Sequence, residues 1–279
     1  MPEGPEVLRV VGGLALITNQ TIKSAYVLSG RYSRAAPASL AQLDGAQLKR
    51  ITCKGKLIIF HLQDSNGPFA VLSTLGMTGW WALNSGAHRH ARIKIVLDND
   101  QELVFTDVRN FGTFKVVSYQ EMRRKVAELG PDILTLPPLW HSVTLPHFFE
   151  RVAKYGKKQT LAEGLLDQRI AAGCGNYIRA DAMWLARFSP HRPISEMSPV
   201  ELKLMWRALY EIGTAATLDL RPPTFLDADP HEQSAVQGYQ NLVYGQKQSH
   251  FGGVVQSFSD KHGRTVWWSP REQEQGSIK

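Results

Sequence analysis

The spacing of the apolar residues changes once along this chain, at a proline-rich stretch, PDILTLPPLWHSVTLP. Before it, short strand-like segments are separated by Gly, Asn and Asp: IKSAYVLS, QLKRITCKGKLIIFHLQ, FAVLSTL, ARIKIVLDN, QELVFTDV and TFKVV. After it, helical spacing dominates, in HFFERVAKYG, QTLAEGLLDQR, NYIRADAMWLARF and PVELKLMWRALYEIGTAATLDL. Strands followed by helices, rather than alternating with them, predict an α+β protein with two separate bodies.

The domain boundaries are predicted from the same change. We expect an N-terminal β-sandwich over residues 1–130, with a helix over residues 5–17 packed on it, and an interdomain linker over residues 131–147. A helical domain over residues 148–225 follows, in which one helix is expected to end near Ile170 before the glycine turn GCG. Residues 226–279 are predicted to form a loop and a terminal β-hairpin that turns at KHG. The segment RPPTFLDADP, residues 221–230, is also predicted to be a loop and crosses this boundary.

The charge balance is basic, with 32 Lys and Arg against 25 Asp and Glu, a net charge of +7 and a pI near 9.4. This favours a polyanionic partner, nucleic acid first and an acidic membrane surface second, although a basic protein without such a partner is an equal alternative. Only Cys53 and Cys174 are present, which excludes a disulfide framework and a four-cysteine zinc site. We therefore expect a reducing, intracellular compartment, with neither a secretory signal nor a membrane span.

The chain opens MPEGPEV, which places a proline and two carboxylates at its start. If Met1 is removed, the secondary amine of Pro2 can attack an electrophilic sugar carbon and form an iminium, as lysine does in Schiff-base chemistry. Glu3 and Glu6 are then placed to move protons. The alternative is that Pro2 and Glu3 merely introduce a helix, which Pro5 suits at its first turn.

Three further segments carry candidate nucleic-acid contacts. Lys54 and Lys56, in CKGKLIIF, are expected on one face of a strand, where they either grip phosphates or are simply solvated. Met77, in LGMTGWW, and Arg109 with Phe111, in DVRNFGTF, suit wedging into a base stack. The competing interpretation places Met77 and Phe111 in a core.

The last two segments are GCGNYIRAD and HGRTVWW. A tight turn that leads into a helix at Asn176 exposes N–H groups that bind phosphate. Arg264, on the shoulder of the hairpin tip, is placed to reach a phosphate or a groove.

Taken in order, MPEGPE, KGKL, LGMTG, DVRNFG, LGPDIL, GCGNYIRAD, PHRP and GRT resemble the formamidopyrimidine-DNA glycosylase / endonuclease VIII family, from Pro2 to about Trp268. The resemblance implies a β-sandwich followed by a helix–two-turn–helix DNA-binding domain with a finger. It implies a bifunctional DNA glycosylase/AP lyase of base-excision repair that excises oxidised bases from duplex DNA and cleaves the strand by β,δ-elimination through a Schiff base. The implied catalytic residues are Pro2 as nucleophile, Glu3 as general acid/base and Lys56 as the lysine that contacts DNA at the lesion, with Glu6 as possible support. Met77, Arg109 and Phe111 would fill the gap left by the everted nucleotide. Asn176 would hold phosphate, and Arg264 would be the finger arginine.

The chain departs from many family members at its end, because residues 244–275 contain no cysteine. The resemblance is therefore to the zincless-finger branch of endonuclease VIII-like enzymes, which implies a monomer that needs no metal or other cofactor. That branch favours oxidised pyrimidines and over-oxidised guanine, and its base-capping loop would lie within residues 221–246. The hairpin should be held by packing of apolar side chains, namely Val255, Phe258, Val266, Trp267 and Trp268.

Two other functions are compatible with a basic DNA-binding chain. A non-catalytic binder of damaged or abasic DNA would keep the same contacts without turnover. A general DNA-packaging protein would bind intact and damaged duplexes equally and would leave MPEGPE unexplained. The presence of Pro2, Glu3 and Lys56 together favours the enzyme.

Overall fold

The computed structural model describes residues 2–33, 40–84, 89–134, 144–219 and 238–273. The chain divides into two compact units, a sandwich unit, Met1–Pro2 with Glu6–Glu128, and a helical unit, Glu3–Pro5 with Leu129–Lys279. Most of the predicted linker and the whole of RPPTFLDADP lie outside the described residues.

Two antiparallel four-stranded sheets make up most of the sandwich unit, with strand orders β1-β6-β7-β5 and β2-β3-β4-β8. The strands are β1 Ile22–Val27, β2 Gln47–Lys54, β3 Leu57–Asp64, β4 Gly67–Thr74, β5 Gly79–Leu83, β6 Ala91–Leu97, β7 Glu102–Asp107 and β8 Thr113–Ser118. Strict alternation of burial along β6 shows how period two supplies one core face. Trp81 fills the core beside Phe60, Phe105 and Phe114, at ring-centroid distances of 5.3, 4.9 and 6.0 Å. The predicted β-sandwich is confirmed.

The N-terminal helix α1 spans Gly4–Leu14 and continues as a 3-10 turn over Ala15–Ile17. Its apolar stripe is buried in the sandwich core, as the spacing predicts: Val7, Val10, Val11, Leu14 and Ile17. Among the longer elements of the sandwich unit, the sequence did not predict the strand β5 or a helix α2 at Tyr119–Glu128. The helix α2 offers little apolar periodicity, since Met122 is its one buried residue.

The helical unit contains α3 Leu145–Tyr155, α4 Leu161–Leu166, α5 Asn176–Leu185, α6 Pro199–Leu218 and a short α7 Pro270–Gln273. Helix α5 is its centre, because every residue from Ile178 to Leu185 is buried. The helices α4 and α6 each begin with a capping box, in which a Thr or Ser and a Glu satisfy each other's backbone N–H groups. The expected end of α4 near Ile170 is wrong: the helix stops at Leu166, because Asp167 turns to an extended backbone and accepts the N–H of Arg169 at 2.9 Å.

A two-stranded hairpin, β9 Gln256–Ser259 and β10 Thr265–Trp268, completes the helical unit. Val266 and Trp268 are buried, and Val255, Phe258 and Trp267 pack against the same core. His191 adds a stacked contact with the Phe258 ring at 4.2 Å. Across the described ranges, no group of three or more His, Cys, Asp and Glu side chains is arranged to hold a metal ion. Nor does any described helix have the length and apolar content to cross a bilayer.

Candidate functional site

Glu3 is inserted into the helical unit, where it caps the N-terminus of α5. Its Oε1 accepts the N–H of Tyr177 at 3.0 Å and its Oε2 accepts the N–H of Ile178 at 3.3 Å. The side chain is almost fully buried, at 2% exposure. The capping residue of α5 itself, Gly175, has no side chain to offer, so a carboxylate from the start of the chain satisfies these orphan donors and meets the positive end of the helix.

Gly175 makes room for this contact, and Gly4 fixes the backbone beside it. A Cβ on Gly175 would lie 2.0 Å from Cδ of Glu3 and 2.3 and 2.4 Å from its two oxygens. The N–H of Gly4 donates to the carbonyl of Gly173 at 2.9 Å, so the backbone around Glu3 is also fixed to the turn. Gln168 braces the other side of the turn, accepting from Gly173 N at 3.0 Å and donating to Cys174 O at 2.9 Å.

The other two N-terminal candidates, Pro2 and Glu6, group with the sandwich unit. Pro2 directly precedes Glu3 and is half-buried. Glu6 forms an ion pair with Arg9 on the next turn of α1, at 3.0 Å.

The two lysines of CKGKL do not share a strand face, and that expectation is wrong. Lys54 is the last residue of β2, whereas Lys56 lies with Gly55 in the turn before β3. The left-handed backbone of Gly55, at φ 56°, reverses the chain between them. Lys54 donates to the carbonyl of Val126 at 3.2 Å, so its ammonium is engaged with the helix α2. Lys56 is at the tip of the β2–β3 hairpin.

Met77, Arg109 and Phe111 are brought together by two touching loops of the sandwich unit. All three are exposed, with Met77 at 36% and Phe111 at 52%, so the core interpretation of Met77 and Phe111 is wrong. The Arg109 guanidinium lies over the Phe111 ring, 5.1 Å from its centroid. A buried carboxylate holds the loops together: Asp107 accepts the Thr78 hydroxyl at 2.5 Å and the Gly112 N–H at 2.7 Å.

A hydrogen-bond network joins Asn176, the first residue of α5, to the hairpin. Its Nδ2 donates to the carbonyl of Thr265 at 3.0 Å, and its Oδ1 accepts from Arg179 Nη2 at 2.6 Å. Arg179 Nη1 in turn donates to Asp260 Oδ2 at 3.1 Å, in an ion pair whose side chains are 0% and 2% exposed.

Arg264 lies on the exposed shoulder of the hairpin tip, as predicted. Its backbone N–H donates to Asp260 Oδ1 at 2.9 Å, and the same oxygen accepts the N–H of His262 at 3.0 Å. Burial alone would raise the pKa of Asp260, but these N–H donors and the Arg179 guanidinium outweigh it and lower the pKa.

Another buried carboxylate, that of Asp181 on α5, accepts hydrogen bonds from the chain that precedes the hairpin. It accepts the Tyr239 hydroxyl at 2.8 Å and the N–H groups of Leu242, Val243 and Tyr244, each at 3.0 Å. Burial, reinforced by this neighbouring carboxylate, raises the pKa of Tyr239 well above its ordinary value, so its phenol remains a donor. The base-capping loop is predicted within residues 221–246, of which residues 221–237 lie outside the described residues.

Sequence reasoning missed Gly175, Arg179, Asp181 and Asp107. The signal for two of them was available, because Arg179 and Asp181 are charged residues in the otherwise apolar run IRADAMWL. A charge inside an apolar helix is rarely tolerated unless it is paired. Gly175 had no such signal, since its role depends on a side chain distant in sequence.

The comparisons with known proteins cover nearly the whole chain. Residues 1–114 match the model of the formamidopyrimidine-DNA glycosylase N-terminal domain, and residues 133–219 match that of the formamidopyrimidine-DNA glycosylase H2TH domain. Formamidopyrimidine-DNA glycosylase of Thermus thermophilus is 30% identical over 254 residues, which is 88% of each chain. The enzyme of Erythrobacter litoralis is 28% identical and covers 97% of this chain and 99% of its own.

Solved structures show the same fold. The MutM (Fpg) protein from Thermus thermophilus superposes with a TM-score of 0.77 at 26% identity, over 99% of this chain and all of that one. Lactococcus lactis Fpg, solved in complex with DNA that contains an oxidised pyrimidine, gives a TM-score of 0.77 at 23% identity, over 98% of this chain and all of that one. With both family models matched in order and the sandwich and H2TH folds in place, this chain belongs to the formamidopyrimidine-DNA glycosylase family.

Proposed function

We propose that this protein is a DNA glycosylase with AP lyase activity that removes oxidised bases from duplex DNA. The observation that carries the proposal is the placement of Glu3: the residue next to Pro2 is buried and bound to the N-terminus of α5, within the family's H2TH region. A carboxylate held by two N–H groups has a fixed position, which general acid/base catalysis requires. The names of the relatives support the same reaction class.

The chemistry begins at Pro2, whose nitrogen must be a free secondary amine. It attacks C1′ of the damaged nucleotide, and the new N–C1′ bond replaces the bond to the base, which leaves with the bonding electron pair and takes a proton from water. If Met1 were still attached, the same nitrogen would be an amide with a delocalised lone pair and would not react. Removal of Met1 is therefore part of the proposal.

Glu3 acts as the proton carrier of this step. Its carboxylate accepts the proton that the Pro2 amine loses on addition and delivers it to the ring oxygen as the sugar opens. The resulting iminium makes the C2′ proton acidic. Loss of that proton breaks the C3′–O bond, and a second elimination breaks the C5′–O bond, so that the strand is cut on both sides (β,δ-elimination).

The DNA contacts follow from exposure and charge. Met77, Arg109 and Phe111 project from joined loops, which suits filling the space of an everted nucleotide. Lys56 is assigned to the lesion as a catalytic residue, and Asn176 and Arg264 are assigned to phosphates. The net charge of +7 supports a polyanionic partner.

We place the chain in the zincless-finger, endonuclease VIII-like branch, which favours oxidised pyrimidines and over-oxidised guanine. The absence of cysteine from residues 244–275 and the packing of Val266 and Trp268 support this assignment. A panel of duplexes that each carry one lesion, assayed at a stated salt concentration, tests it. Preference for 8-oxoguanine over oxidised pyrimidines would contradict the branch assignment.

Borohydride trapping on abasic-site DNA tests the reaction itself. The intact mass of the active protein is measured first, to establish that Met1 is absent. Wild-type protein should form a covalent adduct, Pro2→Gly should lose or reroute it while still binding DNA, and Glu3→Gln should abolish base release. Absence of an adduct with fully processed protein would leave a non-catalytic binder of damaged DNA as the function.

A further inference from the structure

The buried ion pair between Arg179 and Asp260 connects two residues that the proposed function assigns to DNA. Arg179 Nη2 donates to Asn176 Oδ1 at 2.6 Å, and Nη1 donates to Asp260 Oδ2 at 3.1 Å and to Ala162 O at 2.8 Å. The other oxygen of Asp260 accepts the N–H of Arg264 at 2.9 Å. One guanidinium and one carboxylate therefore link the start of α5 to the hairpin tip.

This network fixes the orientation of the Asn176 amide. Its oxygen accepts from Arg179, so its nitrogen faces Thr265 O, to which it donates at 3.0 Å. An amide whose two ends are both engaged cannot flip without breaking both hydrogen bonds. The second hydrogen on Nδ2 and the backbone N–H of Asn176 are then the groups that we assign to phosphate.

A purely stabilising role does not account for the pair. Its side chains are 0% and 2% exposed, and removing two charges from water costs about as much as their attraction returns. The hairpin has other attachments to the helical unit: Val266 is fully buried, and Lys261 pairs with Glu163 at 2.8 Å. Apolar residues of similar volume would serve stability as well.

We propose that Arg179 is a positioning residue that, through Asp260, holds Asn176 and the Arg264-bearing hairpin tip in one frame, so that both phosphate contacts are set together. The inference rests on the proposed function, because it takes Asn176 and Arg264 to be DNA contacts. It adds a residue that touches no DNA but controls two that do.

The test compares stability with DNA binding in the double variant Arg179→Met/Asp260→Asn, which removes both buried charges. The full-length protein is bound to a duplex that contains a tetrahydrofuran abasic analogue, across a series of salt concentrations. We expect the melting temperature to stay near that of the wild type, while affinity falls by about tenfold or more. The slope of log Kd against log salt should fall by about 0.9 for each phosphate that the variant no longer neutralises, a change that a purely structural role would not produce.

The matched control is Arg192→Met/Glu201→Gln, which removes a different ion pair of the helical unit, at 2.6 Å, and leaves a Gln able to complete the capping box. It should bind DNA like the wild type. Arg179→Lys is the second variant if the double variant does not fold, since lysine keeps the charge beside Asp260 but cannot bridge to Asn176. It too should bind about tenfold more weakly.

The outcomes separate this inference from the proposed function. In the first outcome, Asn176→Ala and Arg264→Ala each weaken binding, but the Arg179 variants that fold bind within twofold of the wild type with an unchanged salt slope. The positioning role is then rejected, and the proposed function stands. If Asn176→Ala and Arg264→Ala leave affinity and salt slope unchanged, the assigned DNA contacts are wrong and the inference fails with them. In the wild-type background, we expect the effects of Asn176→Ala and Arg264→Ala on affinity to be non-additive. If those effects become additive in the Arg179→Met/Asp260→Asn background, the shared frame is supported.

Discussion

Gly175→Ala is the substitution that tests the placement of Glu3 most directly. The new Cβ would lie 2.0 Å from Cδ of Glu3, where ordinary contact begins at 3.4 Å, so the carboxylate must retreat by about 1.4 Å. The backbone of Gly175, at φ −132°, suits alanine, so the effect comes from the clash and not from strain.

The magnitude follows from what that movement breaks. The hydrogen bonds to Tyr177 N and Ile178 N, at 3.0 and 3.3 Å, are both broken in a buried site. Hydrogen bonds to a charged group contribute about 1.5–3 kcal/mol each, so we expect a loss of about 2–4 kcal/mol in the free energy of unfolding after partial relaxation. A catalytic group displaced by about 1 Å loses roughly 100-fold in rate.

The assay measures single-turnover base release on a lesion-containing duplex, together with chemical denaturation. Gly175→Ala should release base about 100-fold more slowly than the wild type. Gly12→Ala on α1 is the control, because a Cβ there meets nothing within 4 Å. In a Glu3→Ala background the new Cβ no longer meets the Glu3 carboxylate. Gly175→Ala should then lower the free energy of unfolding by only about 0.5 kcal/mol.

Two results would refute the reasoning. Base release by Gly175→Ala within threefold of the wild type would show that the observed position of Glu3 is not the catalytic one. If Gly175→Ala destabilises the wild type and the Glu3→Ala variant equally, the clash lies elsewhere.

Three further predictions concern two buried carboxylates and a half-buried histidine. Asp107→Asn should weaken binding to abasic-site DNA by about tenfold, because the NH2 end of an amide cannot replace the carboxylate oxygen that accepts from Thr78 or from Gly112. Affinity equal to that of the wild type, measured by fluorescence anisotropy, would contradict the role of Asp107 in joining the loops. Asp181→Asn should cost about 2–4 kcal/mol in the free energy of unfolding, since an NH2 group would face N–H donors, and a cost under about 1 kcal/mol in urea denaturation would reject this account. Burial, helped by Arg50, lowers the pKa of His61 to about 4, so the folded state binds fewer protons than the unfolded chain between pH 6.5 and 4. As pH falls through that window, the wild type should therefore lose roughly 1–2 kcal/mol in the free energy of unfolding relative to His61→Gln, a figure already reduced for solvent screening. Parallel curves of stability against pH for the two proteins would exclude the effect.

The sequence predicted those parts of the fold in which one residue pattern dominates. Alternation along β6 and the stripe from Val7 to Ile17 have a single solution, burial on one face, and both were confirmed. The strand β5 was missed because its sequence, GWWAL, follows directly on a glycine loop. The helix α2 was missed because most of its residues are charged or polar and few are apolar, so no helical spacing of apolar residues is visible.

The candidate site was predictable only in part. Exposure of Met77 and Phe111 could not be decided from spacing, since an apolar residue beside a glycine suits a core or a loop equally. Glu3 and its partner Tyr177 are 174 residues apart, and no local pattern encodes that contact. The placement of Lys56 in a turn depends on the left-handed backbone of Gly55, which a period-two count ignores.

The contact between Glu3 and α5 has a consequence for the timing of synthesis. When translation starts at Met1, the acceptor leaves the ribosome first, and its N–H donor on Tyr177 follows 174 residues later. At ~5–20 residues per second, that delay is roughly 9–35 s. During this delay the N–H groups that bind Glu3 have not yet been made. If Met1 is removed, as we propose, a methionine-removing peptidase therefore has that interval to act before Glu3 can bind to α5.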